Sequence, residues 1–164
     1  MAVEYVIVVG ADFSEVGDMA LEEAFALLSE RPEALVHVVH VAGAYGPMLR
    51  LELPDDVKTV SLEEADAYLR SRVQDKATSA GHAFGERLLM HVRMGAPSDE
   101  IVHLGAELNA DLIVVGTHGR TGVKRLLLGS VAEAVVRKSG CPVLVVRPKS
   151  YPSEAEGGAE PSEG

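Results

Sequence analysis

The stretch from Asp111 to Arg147 places the strongest constraint on how this chain folds. An apolar run from Leu112 to Val115 predicts a buried strand, and a second run from Val143 to Val146 predicts another. Between them lie a loop that contains several glycines and a segment with a helix start signal at Ser130. This order predicts a βαβ unit whose loop follows the carboxyl end of a strand, where open parallel sheets bind ligands.

The loop has features that favour an anionic ligand. Its glycines occupy positions 116, 119, 122 and 129, and glycine allows a ligand to approach the backbone closely. Ser130 and Glu133 form an S-x-x-E pattern, which predicts a capping box at the start of the helix. A helix N-terminus presents free backbone N–H groups, and these groups bind anions.

Charge supports the same interpretation. No Asp or Glu occurs from 112 to 132, whereas Arg120, Lys124 and Arg125 are basic, in a chain with a formal net charge of -10. A positive patch on an acidic protein indicates a specific anion rather than any polyanion. We expect no nucleic-acid partner, because non-specific binding needs many Lys and Arg side chains to neutralise phosphates.

Strands and helices alternate along the rest of the chain. Apolar runs predict strands near 4–9, 34–41 and 88–94, and helix start signals follow at Asp12 or Ser14, at Ser61 and near Ser98. Gly85 is the predicted end of the second helix. Five strands that alternate with four helices predict an α/β fold, in which helices cover both faces of an open parallel sheet in three layers.

Two segments depart from this alternation. Residues 42–60 contain Gly43, Gly46, Pro47 and Pro54 and show no sustained period, so we expect a long flexible loop. Such a loop could be a lid or a partner surface, or an insertion without a role. Residues 149–164 are rich in Gly, Pro, Ser and Glu, which predicts a disordered acidic tail after one domain that spans residues 1–148.

Several classes of protein are disfavoured. No apolar run approaches the roughly 20 residues that span a bilayer, so we expect no membrane partner. The N-terminus lacks the basic region of a signal peptide, and Cys141 is a single cysteine, which together favour the cytoplasm. His37 and His40 would point to opposite faces of one strand, so we expect no metal site there.

The glycine spacing identifies a resemblance. It reads G, two residues, G, nine residues, G-S, which differs from both the Walker A and the dinucleotide-binding patterns. In its strand–loop–helix context it resembles the ATP-binding subgroup of the universal stress protein family, and the segments GTHGRTG and GSVAE are similar to those of the family. The likeness runs from Val3 to Pro148, apart from the long connection. It implies a Rossmann-like sheet with strand order 3-2-1-4-5 and a crevice beside the first and fourth strands.

The resemblance also implies the ligand, ATP with Mg²⁺, and the residues that bind it. Asp12 would lie against the adenosine, Val41 would line the adenine pocket, and the glycines would approach ribose and phosphates. Ser130 would contact phosphate beside the Val131 amide, and Arg120 would add charge. The predicted binding residues are Asp12, Val41, Gly116, Thr117, His118, Gly119, Arg120, Gly129, Ser130 and Val131.

Three functions follow from these observations. The leading one is an ATP-binding regulatory protein of the stress response, in which nucleotide occupancy changes conformation or partner binding. The second is a weak ATPase or nucleotidyl transferase, with Asp12 holding Mg²⁺ through water and His118 as a base; we assign no catalytic residue. The third is a dimeric interaction module that does not depend on nucleotide.

Dimerisation is expected in each case. The segment from Pro142 to Arg147 is apolar and should form a strand at the edge of the sheet. An unpaired edge strand invites pairing with a second copy of itself. We therefore expect a homodimer through this strand, which agrees with what the resemblance implies.

Overall fold

A computed structural model of the protein describes residues 4–45, 48–118 and 128–151. Within these ranges it contains seven strands and four α-helices. In chain order they are β1 (Tyr5–Gly10), α1 (Glu15–Glu30), β2 (Ala34–Tyr45), β3 (Met48–Leu53), β4 (Asp56–Val60), α2 (Leu62–Ser79), β5 (Leu88–Met94), α3 (Pro97–Glu107), β6 (Leu112–Gly116), α4 (Ser130–Lys138) and β7 (Val143–Val146). A short 3₁₀ turn, Gly85–Arg87, precedes β5.

Five of the strands form a parallel sheet in the spatial order β5-β2-β1-β6-β7. Numbered by their order along the chain, these parallel strands follow the order 3-2-1-4-5, so the predicted fold is confirmed. The direction of winding reverses between β1 and β6, where Val8 lies beside Ile113. In open parallel sheets this switch point opens a crevice at the carboxyl ends of the strands.

Helices cover both faces of this sheet. Successive strand residues point to opposite faces, so Val38 packs with residues of α1 and α2, whereas Val39 packs with residues of α3 and α4. Phe25 of α1 and Leu104 of α3 are each about 1% exposed, on opposite sides of the sheet. Burial on both faces explains why the strands read as nearly continuous apolar runs.

Within the segment 42–60, where we expected a flexible loop, residues 48–60 form a β-hairpin. Strand β2 continues to Tyr45, and β3 pairs with its end in antiparallel register, with Arg50 opposite Gly43. Strand β4 then pairs with β3. Leu49 and Leu51 are only 3% and 2% exposed and pack towards α2, and this burial stabilises the hairpin. The hairpin raises the number of strands from the predicted five to seven.

The second helix starts as predicted and ends earlier. Its capping box is complete, because the Ser61 hydroxyl accepts from the Glu64 amide and the Glu64 carboxylate accepts from the Ser61 amide. The helix ends at Ser79 instead of near Phe84, since Gly81 adopts a positive φ of 78° that a right-handed helix cannot continue. Phe84 then packs against Phe25, with ring centroids 5.2 Å apart.

In the described part of the chain, no helix combines the length and the apolar character needed to cross a bilayer. Most of the predicted acidic tail, from residue 152 onwards, lies outside the described residues.

Candidate functional site

A cavity of about 630 Å³ opens at the carboxyl ends of β1, β2 and β6, on the side of the sheet that carries α3 and α4. Its volume lies within the range of roughly 300–1,000 Å³ that is typical of small-molecule sites. Its position coincides with the switch point between β1 and β6. The fold therefore places the cavity where parallel sheets of this kind bind ligands.

The turn after β1 forms one wall. The Asp12 carboxylate accepts hydrogen bonds from both the amide and the hydroxyl of Ser14, through the same oxygen Oδ1. The Ser14 hydroxyl oxygen in turn accepts from the Gly17 amide and caps α1. Asp12 is thus held in place by the start of the helix, and a ligand or a metal ion would meet its second oxygen.

The same turn contains a residue in an unusual conformation. Phe13 has a φ of 62°, which is rare for a bulky residue. Its ring is 3% exposed and stacks on His40 at 4.4 Å. His40 donates from Nδ1 to the Ala11 carbonyl oxygen at 2.8 Å, because that oxygen can only accept. His40 also lines the cavity, although no sequence motif indicated that it belongs to the site.

The opposite wall is the N-terminus of α4. The Glu133 amide donates the first hydrogen bond within the helix, to the Gly129 carbonyl oxygen. The amides of Ser130, Val131 and Ala132 precede it and have no partner within the helix. All three residues line the cavity. They supply backbone donors and the positive end of a helix dipole, which together suit an anion.

The predicted capping box at this helix is absent. Gly129, and not Ser130, is the N-cap residue, and no side chain caps the helix. The Glu133 carboxylate pairs instead with Arg137, one helical turn later. Since Ser130 is the first helical residue, its hydroxyl lies one position beyond the place where a capping side chain can accept from the N3 amide.

Two glycines of the motif lie where a side chain would collide with backbone. A Cβ atom at Gly129 would lie 2.7 Å from the Thr117 carbonyl oxygen and 3.0 Å from the His118 Cα. At Gly116, a Cβ atom would lie 2.9 Å from a Val16 methyl carbon and 3.1 Å from the Val16 carbonyl oxygen. All four distances are shorter than ordinary van der Waals contact, so an added methyl group would force the neighbouring atoms to move. The glycines therefore allow β6, α1 and the start of α4 to meet at the cavity.

Thr117 has a mainly structural place at this junction. Its amide donates to the Val146 carbonyl oxygen, and its own carbonyl oxygen accepts from the Gly129 amide. Its hydroxyl lies 3.0 Å from Nδ1 of His118, a residue that lines the cavity. Thr117 thus orients His118 and connects β6 to α4 through its backbone.

The structure brings most of the predicted binding residues together. Those that line the cavity are Asp12, Val41, Gly116, His118, Gly129, Ser130 and Val131. Thr117 lies behind them, and Gly119 and Arg120 fall outside the described residues, as do Lys124 and Arg125. Residues from the beginning, the middle and the end of the chain therefore form one site.

The middle of the cavity is apolar. Val39 and Val41 of β2, Ile101 of α3 and Val115 of β6 contribute side chains to it. Such a surface suits the face of a flat ring system. The start of α4 supplies backbone donors, and the apolar side chains supply a surface for a ring. The cavity therefore has the chemistry to bind a molecule that carries both an aromatic ring and an anionic group.

Two charged residues of the site were not predicted from the sequence. Arg50 and Glu52 of β3 line the cavity, and their side chains form an ion pair with a distance of 3.3 Å from Nε to Oε1. Both lie in the segment that we expected to be a loop. The alternation of Leu49, Leu51 and Leu53 with charged residues is the period of a strand, and it could have revealed which face they occupy.

Two histidines on the neighbouring strands β2 and β5 contact each other. Nδ1 of His37 on β2 is 2.8 Å from Nε2 of His91 on β5. Burial, followed by the charge of His91, lowers the pKa of His37 to about 4, and burial also lowers the pKa of His91. Within the described ranges, no cluster of three or more His, Cys, Asp or Glu residues could hold a metal ion.

Comparison with known proteins agrees with the fold and the motif. The model of the universal stress protein family matches residues 6–147. Universal stress protein MJ0531 of Methanocaldococcus jannaschii is 34% identical over 144 residues, which cover 86% of this chain and 81% of that protein. Universal stress protein MJ0577 of the same organism is 32% identical over 149 residues, covering 85% of this chain and 92% of that protein.

Solved structures give the same result. The structure of MJ0577 superposes with a TM-score of 0.60 at 27% identity, over 92% of this chain and 100% of that one. Universal stress protein UspA from Lactobacillus plantarum superposes with a TM-score of 0.66 at 22% identity, over 90% and 100% of the two chains. From its sequence, its sheet order and its glycine motif, the chain belongs to the universal stress protein family.

Proposed function

We propose that the protein binds ATP in the cavity and acts as a nucleotide-dependent regulator of the stress response. The observation that carries the proposal is the start of α4. There Ser130, Val131 and Ala132, whose amides have no partner within the helix, line a cavity that Val39 and Val41 also line. The phosphates would lie at the helix N-terminus and the adenine against the valines.

Mg²⁺ is part of the proposal, because Asp12 offers it a carboxylate at the cavity. Protein sites usually hold Mg²⁺ through one or two carboxylates together with phosphate oxygens and water. Among the described residues that line the cavity, Asp12 and Glu52 are the acidic ones. Asp12, whose Oδ1 is occupied by Ser14, would approach the ion through Oδ2 or through water.

Other members of the fold are known with adenine nucleotides. One solved structure is a universal stress protein in complex with cAMP, and another is a universal stress protein from Archaeoglobus fulgidus in complex with dAMP. They are 24% and 23% identical to this chain, so the likeness concerns the fold. The choice of ATP rests on the glycine motif, which resembles that of the ATP-binding subgroup, and on a cavity of about 630 Å³ with both apolar and polar lining residues.

Regulation requires two states to which ATP binds with different affinity. The nucleotide would contact the turn after β1 and the start of α4, and Gly116 packs against Val16 of α1 between them. Occupancy could therefore alter how α1 and α4 lie on the sheet. We place this regulator in the cytoplasm, as a homodimer that pairs through β7, with a protein partner that remains to be identified.

Calorimetric titration of nucleotide-stripped protein with ATP and Mg²⁺ tests the proposal. We expect saturable binding to the native protein and at least a tenfold loss for Gly129→Ala, because the added methyl group displaces the helix N-terminus. Gly140→Ala is the matched control, since a Cβ atom at Gly140 would meet nothing within 4 Å. Equal affinities for the native protein and a folded Gly129→Ala variant would refute the placement of the phosphates.

Slow ATP hydrolysis is a second candidate, because Thr117 orients the imidazole of His118 at the cavity. Released phosphate should be measured in the same samples. Turnover by the native protein that is lost in His118→Ala, with ATP affinity retained, would establish an enzyme. Turnover that survives both His118→Ala and Asp12→Ala would be incidental or come from a contaminant. If no nucleotide binds at all, the nucleotide-independent interaction module becomes the better hypothesis.

A further inference from the structure

The hairpin turns a charged face towards the cavity. Because side chains alternate along a strand, Leu49 and Leu51 point into the core beside α2, whereas Arg50 and Glu52 point the other way. Both charged residues line the cavity, and each side chain is about half exposed, at 54% and 50%. They can therefore reach a bound ligand without first leaving a buried position.

The register between β2 and β3 places Arg50 and Glu52 beside the proposed position of the base. Arg50 lies opposite Gly43, and a Cβ atom at Gly43 would be 3.6 Å from the Arg50 Cβ. Gly43 follows Val41 by two residues and so shares its face of the sheet. The sheet order puts β3 next to β2 and puts β6, which leads to α4, on the far side of β1. The pair thus lies at the end of the cavity opposite to the phosphates.

The charges of the pair fit a neutral polar group better than a phosphate. Arg50 is the only Lys or Arg among the described residues that line the cavity, and Glu52 lies 3.3 Å from it. The carboxylate offsets the charge of the guanidinium, so together they form a donor and an acceptor side by side. The edge of adenine presents the complement, a ring nitrogen that accepts next to an amino group that donates.

We propose that Arg50 and Glu52 read the edge of the purine base. Arg50 donates to a ring nitrogen, and Glu52 accepts from the 6-amino group. The inference rests on the proposed binding of ATP and adds residues that select the base. Replacing the 6-amino group by a carbonyl oxygen would place an acceptor opposite the Glu52 carboxylate, which leaves both groups without a donor.

Titrations with ATP, AMP and inosine triphosphate test this inference. The native protein should bind ATP about tenfold more tightly than inosine triphosphate, as expected for one lost hydrogen bond to a charged group. Arg50→Met should weaken ATP and AMP by the same factor, about three- to tenfold, because the base is common to both. Glu52→Gln should shift the preference towards inosine triphosphate, since an amide can donate to the 6-oxygen.

Lys58→Met is the matched control for Arg50→Met. Lys58 lies on β4 opposite Leu51, so it occupies the other face of the hairpin, and it does not line the cavity. The substitution makes the same change of charge in the same hairpin, and it should leave both nucleotide affinities unchanged.

Two results would overturn the inference while the proposed function stands. If Arg50→Met weakened ATP much more than AMP, Arg50 would act on the phosphates. If ATP bound well and neither variant changed the ratio of ATP to inosine triphosphate, the backbone alone would select the base. Absence of binding by the native protein to any of the three nucleotides would refute the proposed function itself.

Discussion

At Gly129 the lack of a side chain lets the backbone of the β6 end touch the start of α4. The Gly129 amide donates to the Thr117 carbonyl oxygen, and a methyl group could not fit between the two segments. Gly116 has the same property against Val16. The glycines of the motif are therefore required for close packing of β6 against α1 and α4. This packing brings the start of α4 to the cavity.

The His37–His91 pair makes stability depend on pH. Burial lowers the pKa of His37 to about 4 in the folded protein, whereas an unfolded histidine has a pKa of about 6.5. The unfolded state therefore binds more protons between these values, and stability should fall as the pH drops from about 6.5 to about 4. We expect a loss of about 1–3 kcal/mol, reduced from the full value by partial solvent access.

Urea unfolding of native protein and His37→Gln at several pH values measures this effect. The variant should show a shallower decrease of unfolding free energy across that interval. His103→Gln provides the control, because its side chain is 66% exposed and it removes a histidine without touching the pair. Parallel profiles for the native protein and His37→Gln would show that the pair does not control acid stability.

At the scale of elements, α1 and α4 begin in different ways. Ser14 caps α1 with its hydroxyl, whereas α4 begins at Gly129 without a side-chain cap. Ser14→Ala should therefore cost about 1 kcal/mol of unfolding free energy. Ser130→Ala should change it by less than about 0.5 kcal/mol. Equal losses in thermal or urea unfolding would show that the Ser130 hydroxyl caps its helix after all.

The hairpin of β3 and β4 should behave as part of the core. Leu51 is 2% exposed, so Leu51→Ala should lower the unfolding free energy by about 2–4 kcal/mol. Val57, on the adjacent strand, is 53% exposed, and Val57→Ala should have an effect of less than about 0.5 kcal/mol. A negligible effect of Leu51→Ala in urea unfolding would restore the flexible loop that the sequence suggested.

Some of these elements could be predicted from the sequence and others could not. The strands of the parallel sheet were predictable because burial on both faces makes them continuous apolar runs. The hairpin was not predicted, since Gly46, Pro47 and Pro54 flank strands of only six and five residues, and so short an alternating period is easily missed. The end of α2 was misplaced because Gly81 and Gly85 both adopt positive φ, and either could have ended the helix.

Within the site, local motifs were predictable and long-range neighbours were not. The glycine spacing predicted Gly116 and Gly129, since a position where another segment closely approaches the backbone requires glycine, and glycine is visible in the sequence. His40 enters the site through its stacking on Phe13 and its bond to Ala11, and these contacts depend on how β1 and β2 align. Arg50 enters only because β3 extends the sheet beside β2.

At the scale of the whole molecule, β7 is an edge of the parallel sheet. Its residues are only partly buried, and Val136 of the neighbouring α4 is 47% exposed. Pairing with a second copy would cover the open edge. Small-angle scattering at micromolar concentration should give twice the mass of one chain, and Leu144→Lys should reduce it to a monomer. A monomeric native protein would contradict this assembly.

NMR of the backbone amides of residues 129–132 during titration with ATP and Mg²⁺ tests whether the phosphates bind at the start of α4. We expect these amides to shift along one saturable curve, and adenosine without phosphates to leave them nearly unchanged while it shifts Val41. If ATP left the four amides unshifted while other residues responded, the phosphates would not lie at the start of α4. The site that we propose would then be wrong.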